Sequence, residues 1–250
     1  MIQSVSHMTF RKESRSVELQ RRRLQPELMD APDLDEVPHL HALDGLRRIH
    51  FWSRTSRTYI RVLQQWISSN GPLRVLDLAC GGGDVILSLE KLGQRAGLKL
   101  LVDGCDVSRT ALDRAVTRAA GKSSRARFFK HDVLKDSLPG DYDVLISSLF
   151  LHHLTDEEAG TLLQKMARSC RLGFLVSDLE RRPSGYWLAA TVPHLLTRSP
   201  VVHSDSVKSV RAAFRRDELA LLAREAGLCN FELSRCWPCR MLLAWRRPRD

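Results

Sequence analysis

The chain has 250 residues, of which 43% are hydrophobic and 27% charged, and its formal net charge is +10. This composition fits one globular domain with a sizeable core and room for an appendage. No early apolar stretch resembles a secretory signal, and no uninterrupted apolar run has the length needed to span a bilayer. We therefore expect a cytoplasmic protein with at most peripheral membrane contact.

The first quarter of the chain differs from the rest in charge and pattern. Residues 1–25 hold six basic and two acidic groups and supply +4 of the net charge, which predicts a basic arm. Between residues 40 and 67 the apolar residues recur at helical spacing and predict two helices, broken near Ser53. We assign residues 1–70 to a basic arm and N-terminal helical cap, and residues 71–250 to the main domain.

Beyond residue 71, strand-like and helix-like segments alternate. The strands are almost continuously apolar, as expected for strands buried on both faces. Ser108, and Thr155 or Asp156, are placed to cap two helices, and Gly227 is placed to end a third. The pattern predicts an α/β protein with a doubly wound, seven-stranded, mostly parallel Rossmann-like sheet that ends in an antiparallel hairpin. The predicted strands contain LRVLDLA, LKLLVDGCDV, ARFFKHDV, YDVLISSLFL, RLGFLVSDL, CNFELSRCW and CRMLLAWRR.

A glycine-rich turn, ACGGGDV, follows the first strand and predicts a ligand site. No lysine follows the glycines, which excludes a P-loop, and the match to a dinucleotide fingerprint is weak. Asp84 stands where the next helix begins, so we expect it to cap the helix N–H groups and repel a pyrophosphate. Asp77 adds a second negative charge. The turn therefore suits a ligand that is cationic at this point, as S-adenosylmethionine is.

These residues resemble a known family. Asp77–Gly83 is similar to the D-x-G-x-G-x-G loop of class I S-adenosylmethionine-dependent methyltransferases, with Ala79 at the first glycine. HDV (131–133) resembles the segment that lines the adenine, where Asp132 accepts from the amino group, and SSLFLHHL (147–154) resembles the segment beside the methyl group. Asp106 stands where the family binds the ribose hydroxyls. The resemblance implies S-adenosylmethionine as cofactor, bound by Asp77, Ala79, Cys80, Gly81, Gly83, Asp106, Val107, Asp132, Val133 and Ser148.

Plainer roles exist for the same residues. The glycines fit a tight turn without a ligand, Asp106 fits a helix-capping acid before Ser108, and Asp132 fits a solvated loop acid. The four family motifs fall in order along the chain, so we favour the cofactor-binding interpretation for each of them.

Three further segments resemble a subgroup of the family. PELMDAPDLD, SDLERRP and HSDSVKSVRAAFRRDEL are similar to segments of bacterial methyltransferases encoded near type III polyketide synthases, which are related to quinone-biosynthesis methyltransferases. This resemblance implies a phenolic or polyketide acceptor, methylated on oxygen. Quinone-type C-methylation stays an alternative.

Four residues are candidates for catalysis. His152 and His153 follow the fourth strand, where a base would help a phenol to react, although the pair also fits a role in shaping the loop. His203 and Asp205 lie in the segment expected over the acceptor, where a His–Asp pair would orient a base; an ordinary polar loop is equally compatible. We expect no metal, because the single Cys236-x-x-Cys239 pair lacks a second pair and its Trp-Pro centre favours a hairpin turn.

Residues 181–211 predict an insertion that covers the acceptor. The stretch YWLAATVPHLLT is too short to span a membrane, and Pro193 argues against a long straight helix. A lid that meets a small hydrophobic acceptor is favoured over a membrane-surface helix. The basic charge keeps an RNA methyltransferase open, but SSLF lacks the proline clamp of enzymes that methylate base amino groups, so nucleic acid is disfavoured. A non-catalytic binding module is disfavoured by the intact motifs.

Overall fold

In the computed structural model, the described parts of the chain are residues 19–28, 35, 37, 40–45, 54–66 and 71–248. Most of the predicted basic arm and the predicted helix break near Ser53 lie outside these residues. Residues 40–45 are helical. The predicted division into two parts at residue 70 stays a prediction.

Seven strands form one sheet in the order β3-β2-β1-β4-β5-β7-β6. The pairs among β1 to β5 are parallel, whereas β7 is antiparallel to both β5 and β6. This confirms the predicted fold class, including the terminal hairpin. The strands are β1 (Leu73–Leu78), β2 (Leu100–Asp106), β3 (Phe128–Lys130), β4 (Val144–Ser148), β5 (Gly173–Leu179), β6 (Glu232–Cys236) and β7 (Arg240–Arg246).

Helices cover both faces of the sheet and bury its side chains. Successive residues of a strand point to opposite faces, so Leu145 joins one hydrophobic cluster while Val144 and Ile146 join the other. Tyr59 and Leu63 belong to the second cluster, so their helix packs on the sheet. Besides the helical residues 40–45, the described residues form the helices α1 (Thr55–Trp66), α2 (Asp84–Arg95), α3 (Arg109–Ala120), α4 (Asp156–Ser169), α5 (Pro183–Leu196), α6 (Pro200–Ala212) and α7 (Arg216–Glu225).

The sequence signals for helix ends are confirmed. The Ser108 hydroxyl accepts a hydrogen bond from Ala111 N at the start of α3. Thr155 and Glu158 form a reciprocal capping box at the start of α4, which satisfies two backbone N–H groups. Gly227, with φ +79°, follows the end of α7.

Two segments differ from their predicted form. The strand predicted over ARFFKHDV is limited to β3, so HDV lies in the loop after it. Pro193 does not interrupt its segment: α5 continues through it, because only one backbone hydrogen bond is lost near the end of the helix. The predicted turn at Cys236-x-x-Cys239 is confirmed, since β6 ends at Cys236 and β7 begins at Arg240.

The strand order reverses between β1 and β4, which places a crevice at the carboxyl ends of these two strands. The loops after β1, β2, β4 and β5 open at this edge of the sheet. Of the helices in the described residues, none is long and apolar enough to cross a membrane.

Candidate active site

A cavity of about 790 Å³ opens at this edge. We call the side formed by the loops after β1, β2 and β3 the glycine-loop wall; it includes Asp77, Gly81, Asp106 and Val133. We call the side formed by α5 and α6 the helical wall, which is largely apolar. The side chains of the helical wall include Leu188, Ala189, Val192, Leu196, Val201 and Val202.

The glycine loop is shaped by left-handed backbone. Ala79, Gly81 and Gly83 have φ values of 55°, 52° and 73°, a region that glycine adopts without strain. A side chain at Gly81 would meet nothing within 4 Å, so this glycine leaves open space on the cavity side. A side chain at Gly83 would press on Phe128 and Ala115 instead. Gly83 thus serves close packing of α2, whereas Gly82 lines the cavity; the predicted contact of Gly83 with the cofactor stays a prediction.

The expected role of Asp84 is wrong. The N-cap of α2 is Gly83 in the left-handed conformation, and no side chain caps this helix. Asp84 forms an ion pair with Arg118 of α3, whose guanidinium also donates to Gly82 O at 2.8 Å. The opposite charge on the neighbouring helix draws the carboxylate away from the helix end. The negative charge of the loop therefore rests on Asp77 and Asp106.

Asp106 holds the loop against the second strand. One of its carboxylate oxygens accepts from Gly81 N at 2.8 Å, and the other accepts from Ser108 N at 2.8 Å. It also lines the cavity, next to Val107. The carboxylate is therefore fixed in place at the wall, as ribose binding requires, and the ribose role stays a prediction.

Asp77 is a buried acid at the carboxyl end of β1. It is 1% exposed, and its Oδ1 has no hydrogen-bond partner among the residues that the structure describes. Burial, reinforced by the Asp106 carboxylate, raises the pKa of Asp77 well above its usual range. A buried acceptor without a partner is costly, so this oxygen is a natural contact for a cationic or hydrogen-donating ligand.

The remaining predicted cofactor residues also line the cavity. Val133 is buried, and Ser148 places a buried hydroxyl there for which the described residues offer no partner. Asp132 lines the cavity as well, but its Oδ1 accepts from Leu134 N and Lys135 N at 3.1 and 3.2 Å. Its carboxylate is thus used by its own loop, in agreement with the plainer of its two interpretations.

His152 forms a buried polar pair with Asp178. The residue is 3% exposed, and its Nδ1 lies 2.6 Å from Asp178 Oδ1. Burial alone would raise the pKa of Asp178, but attraction to His152 and hydrogen bonds from His152 and Leu179 outweigh it and lower the pKa. Nδ1 of His152 donates to this ionised carboxylate, which leaves Nε2 as the second ring nitrogen of the side chain.

Strand register explains how the pair forms. β4 and β5 are parallel neighbours with Ser148 opposite Ser177, so Asp178 follows at the carboxyl end of β5. His152 lies in a short 3₁₀ turn (Leu151–His153) after β4, and its backbone N also donates to Asp178 at 3.2 Å. Both residues therefore meet at the same edge of the sheet.

The N-terminal segment brings a second carboxylate to this turn. Glu27 Oε1 lies 3.7 Å from His152 Nε2, and Glu27 Oε2 lies 4.0 Å from His153 Nε2. Arg22 holds the segment, since it donates to the carbonyls of Leu151 and His152 at 3.3 Å and lies over the Phe214 ring.

These three side chains also have the composition of a metal site. Potential ligand atoms of Glu27, His152 and His153 all lie within 4.8 Å of one another. The two distances from Glu27 to the histidine nitrogens, 3.7 and 4.0 Å, are somewhat longer than the separation of ligands around one bound ion, which is about 3–3.5 Å when each bond is about 2.1 Å. The sequence-based expectation of no metal stays a prediction.

The predicted pair of His203 and Asp205 is not formed. His203 Nε2 lies 2.8 Å from Thr197 O, and its ring stacks on His194. Asp205 instead accepts from Leu28 N at 3.0 Å and pairs with Lys208. Residues two apart on a helix point in different directions. Asp205 accordingly lines the cavity, whereas His203 is not among the residues that line it.

Three polar residues of the site, Asp178, Arg240 and Glu27, were not predicted from the sequence. Asp178 was detectable, because a lone acid at the carboxyl end of a buried strand adjoins the strand that precedes His152. Arg240 carried a similar signal at the start of the last strand. Glu27 carried none, because its position depends on how the N-terminal segment crosses the fold.

Comparison with known proteins gives consistent matches. Residues 75–173 match a family model described as methyltransferase domain. The chain is 31% identical to a ubiquinone biosynthesis O-methyltransferase from Ralstonia nicotianae over 171 residues, which cover 65% of this chain and 67% of that protein.

Solved structures share the fold. A magnesium protoporphyrin IX methyltransferase from Synechocystis with bound SAH has a TM-score of 0.55 at 18% identity, covering 88% of this chain and 91% of that one. An O-methyltransferase family 2 protein from Planctomyces limnophilus in complex with apigenin has a TM-score of 0.61 at 16% identity, covering 88% and 63%.

Proposed function

The chain belongs to the class I S-adenosylmethionine-dependent methyltransferases, and from that premise we propose that it methylates a hydroxyl oxygen of a small, largely apolar phenolic or polyketide acceptor. The observation that carries the proposal is the buried His152–Asp178 pair, 2.6 Å apart, on the wall of an apolar cavity. A phenolic oxygen needs to lose its proton, and this pair is built to accept one.

The glycine-loop wall fits the methyl donor. S-adenosylmethionine, when bound, supplies a methyl group on a positively charged sulfur. Asp106 presents a fixed carboxylate suited to hydroxyl groups, Gly81 leaves room for close approach, and Asp77 offers a buried acceptor suited to an ammonium. We assign these three residues to donor binding, together with Val133 and Ser148.

The pair formed by His152 and Asp178 supplies the base. Asp178 fixes the imidazole so that Nε2 faces Glu27 and the cavity. Nε2 accepts the proton of the acceptor hydroxyl, and the resulting imidazolium is stabilised by Asp178. The buried surroundings exclude water, which strengthens this charge interaction. His153 stacks beside His152, with ring centroids 4.3 Å apart, and steadies the turn.

The acceptor lies against the helical wall. The wall includes most of the segment predicted as a lid, residues 181–211, and its lining side chains are largely apolar, which favours an acceptor with an apolar ring or chain. The relative from Ralstonia nicotianae is named an O-methyltransferase of ubiquinone biosynthesis, which supports a phenolic acceptor with apolar substituents for this chain. Glu27 and Leu43, from the N-terminal part of the chain, also line the cavity.

The proposal is tested by a product screen. Purified protein is incubated with S-adenosylmethionine and a panel of catechols, resorcinols and hydroxypyrones with and without alkyl chains, and products are identified by mass spectrometry and NMR. We expect O-methyl products, with the turnover rate lowered by about 10²- to 10⁴-fold in His152→Gln. His203→Gln is the matched control and should retain the native rate.

The same screen addresses the alternatives. A methyl group on ring carbon would assign quinone-type C-methylation. Methylation of RNA, with binding that weakens as salt rises, would assign an RNA methyltransferase. Full activity of His152→Gln on every phenol would remove the base from the proposal.

A further inference from the structure

Arg240 is a buried arginine at the edge of the cavity. It begins β7 and pairs with Leu179, the last residue of β5. The residue is 2% exposed and contributes to the cavity wall. Neither the proton transfer assigned to His152 nor the donor contacts assigned above use it.

The guanidinium of Arg240 is only partly satisfied. Nη1 donates to Thr55 Oγ1 at 2.8 Å, but Nη2 has no partner within the described chain, and no carboxylate there pairs with it. Arg181, the other fully buried arginine of the described residues, provides the contrast. Arg181 donates to Leu19 O and Ala213 O and forms an ion pair with Glu218.

An unpaired buried charge is unfavourable, which makes the contrast informative. Burial lowers the pKa of Arg240 to about 10, so the guanidinium stays charged at neutral pH. Removing such a charge from water without an ion pair is unfavourable, and an anion in the cavity would recover part of that cost. Arg181 has its ion pair within the chain, whereas Arg240, which is attracted by Asp178 but forms no ion pair with a described residue, lines a cavity.

The carboxyl group of Asp77 lines the same cavity. Its Oδ1 likewise lacks a hydrogen-bond partner in the described part of the chain. The Tyr59 hydroxyl, which donates to Ser147 O at 2.6 Å, lies within electrostatic range of both groups. The cavity floor thus holds a buried carboxyl group and a buried guanidinium, each with one atom that lacks a hydrogen-bond partner among the described residues. A zwitterionic α-amino acid has the complementary pair of charges.

We propose that Arg240, supported by Thr55, is a carboxylate-binding subsite of the cavity. The inference rests on the proposed function, because the methyl donor carries an α-amino acid at one end. In that case Arg240 binds the carboxylate while Asp77 binds the ammonium. An acidic oxygen of the acceptor has the same chemistry and is the second source that the experiment distinguishes.

The experiment measures binding without turnover. Calorimetry compares S-adenosylhomocysteine with 5′-methylthioadenosine, which lacks the amino acid, on native protein and on Arg240→Gln. Binding of S-adenosylhomocysteine to the variant should weaken by about 10- to 100-fold, the range for a lost hydrogen bond to a charged group, while 5′-methylthioadenosine binds equally to both. Arg235→Gln, an exposed arginine on β6, is the control for net charge and should change neither affinity.

The acceptor arm uses the KM for acceptors found in the product screen. Native affinity for S-adenosylhomocysteine in Arg240→Gln, together with a KM raised only for acceptors with an acidic oxygen, would assign the subsite to the acceptor. If both ligands and all acceptors bind Arg240→Gln as they bind the native protein, the subsite is refuted.

Folding is controlled separately. A thermal melt of the ligand-free variant should show no loss of stability, because a buried charge without an ion pair among the described residues has been removed, whereas the rise in Tm on adding S-adenosylhomocysteine should shrink. A second test needs no substitution. If the native protein binds decarboxylated S-adenosylhomocysteine as tightly as the intact molecule, and if none of its acceptors carries an acidic oxygen, the subsite is also refuted. Binding through Arg240 without methylation of any phenol would count against the proposed function only.

Discussion

The two walls of the cavity are built in different ways. The glycine-loop wall comes from three consecutive strand ends between residues 77 and 133, and its polar contacts join neighbours in the fold, as between Asp106 and Gly81. The helical wall is formed by two successive helices, and the polar cluster beside it comes from segments far apart in the chain. Glu27, His152 and Asp178 converge although more than a hundred residues separate the first two.

This difference shows which part of a site a short sequence motif can specify. A loop of adjacent residues is encoded by such a motif, so the glycine-loop wall is recognisable from its sequence. The opposite side of the cavity depends on how α5, α6 and the N-terminal segment pack over the sheet, which no short motif encodes.

The largest expected effect is on the acceptor side, at Asp178. Asp178→Asn keeps the shape but removes the charge that orients His152 and stabilises its protonated form. We expect kcat to fall by about 10²- to 10³-fold, with little change in affinity for S-adenosylhomocysteine. Steady-state kinetics and calorimetry measure the two quantities. Asp113→Asn, which changes an exposed acid of α3, is the control. If Asp178→Asn stays within twofold of the native rate, Asp178 is not needed for base catalysis.

On the donor side, Asp77 links ligand binding to protonation. Its pKa is raised above the unfolded value of about 3.9, so the ligand-free fold loses stability from this group as the pH rises through the raised pKa. An ammonium beside the carboxylate lowers that pKa, so binding of S-adenosylhomocysteine should release protons within this pH window. Asp77→Asn should abolish the release and weaken binding by about 10- to 100-fold.

Proton release is measured by calorimetry in buffers that differ in ionisation enthalpy. Urea unfolding of the ligand-free proteins at several pH values should show a smaller pH dependence for Asp77→Asn than for the native chain. Equal proton release and equal affinity in the two proteins would place the ammonium elsewhere.

A smaller effect is expected at the helical wall. Leu188→Ala removes three carbons from the surface that meets the acceptor, and about 0.8 kcal/mol is lost for each buried CH₂ that is fully withdrawn from contact. We expect the KM for alkyl-bearing phenols to rise by about 3- to 10-fold, with a smaller change for unsubstituted phenols. Leu195→Ala on the same helix is the control, because Leu195 is 84% exposed. An equal rise for both classes of acceptor would exclude contact between Leu188 and the chain of the acceptor.

The smallest expected effect is that of chelation. Dialysis against EDTA should leave kcat unchanged, because the base proposal needs no metal and the sequence predicts none. Zinc or manganese is then added back, and bound metal is measured directly. Loss of activity with recovery on adding a metal would show that Glu27, His152 and His153 hold a cation, and His152 would then act as a ligand rather than a base.

The sequence by itself determined the features that depend on residues close together in the chain. The fold class and most of the glycine-loop wall could be predicted from strand patterns, from helix caps at Ser108 and Thr155, and from the order of four short motifs. These features are local: a cap needs residues three apart, a strand needs its own apolar run, and the glycine loop needs Gly81 and its neighbours. Gly83 and Asp84 were the exceptions, because Phe128 and Arg118 reach them from other elements.

Only the tertiary structure decided the acceptor side. His152 and His203 look alike in the sequence, yet one meets Asp178 and the other meets Thr197 O. The choice follows from strand register and helix rotation, which set the direction of each side chain. Arg181 and Arg240 are equally buried, and their different partners depend on which segments cross them. The physical reason is that charge pairing in a core depends on distances of a few ångströms between residues that the chain brings together only when it folds.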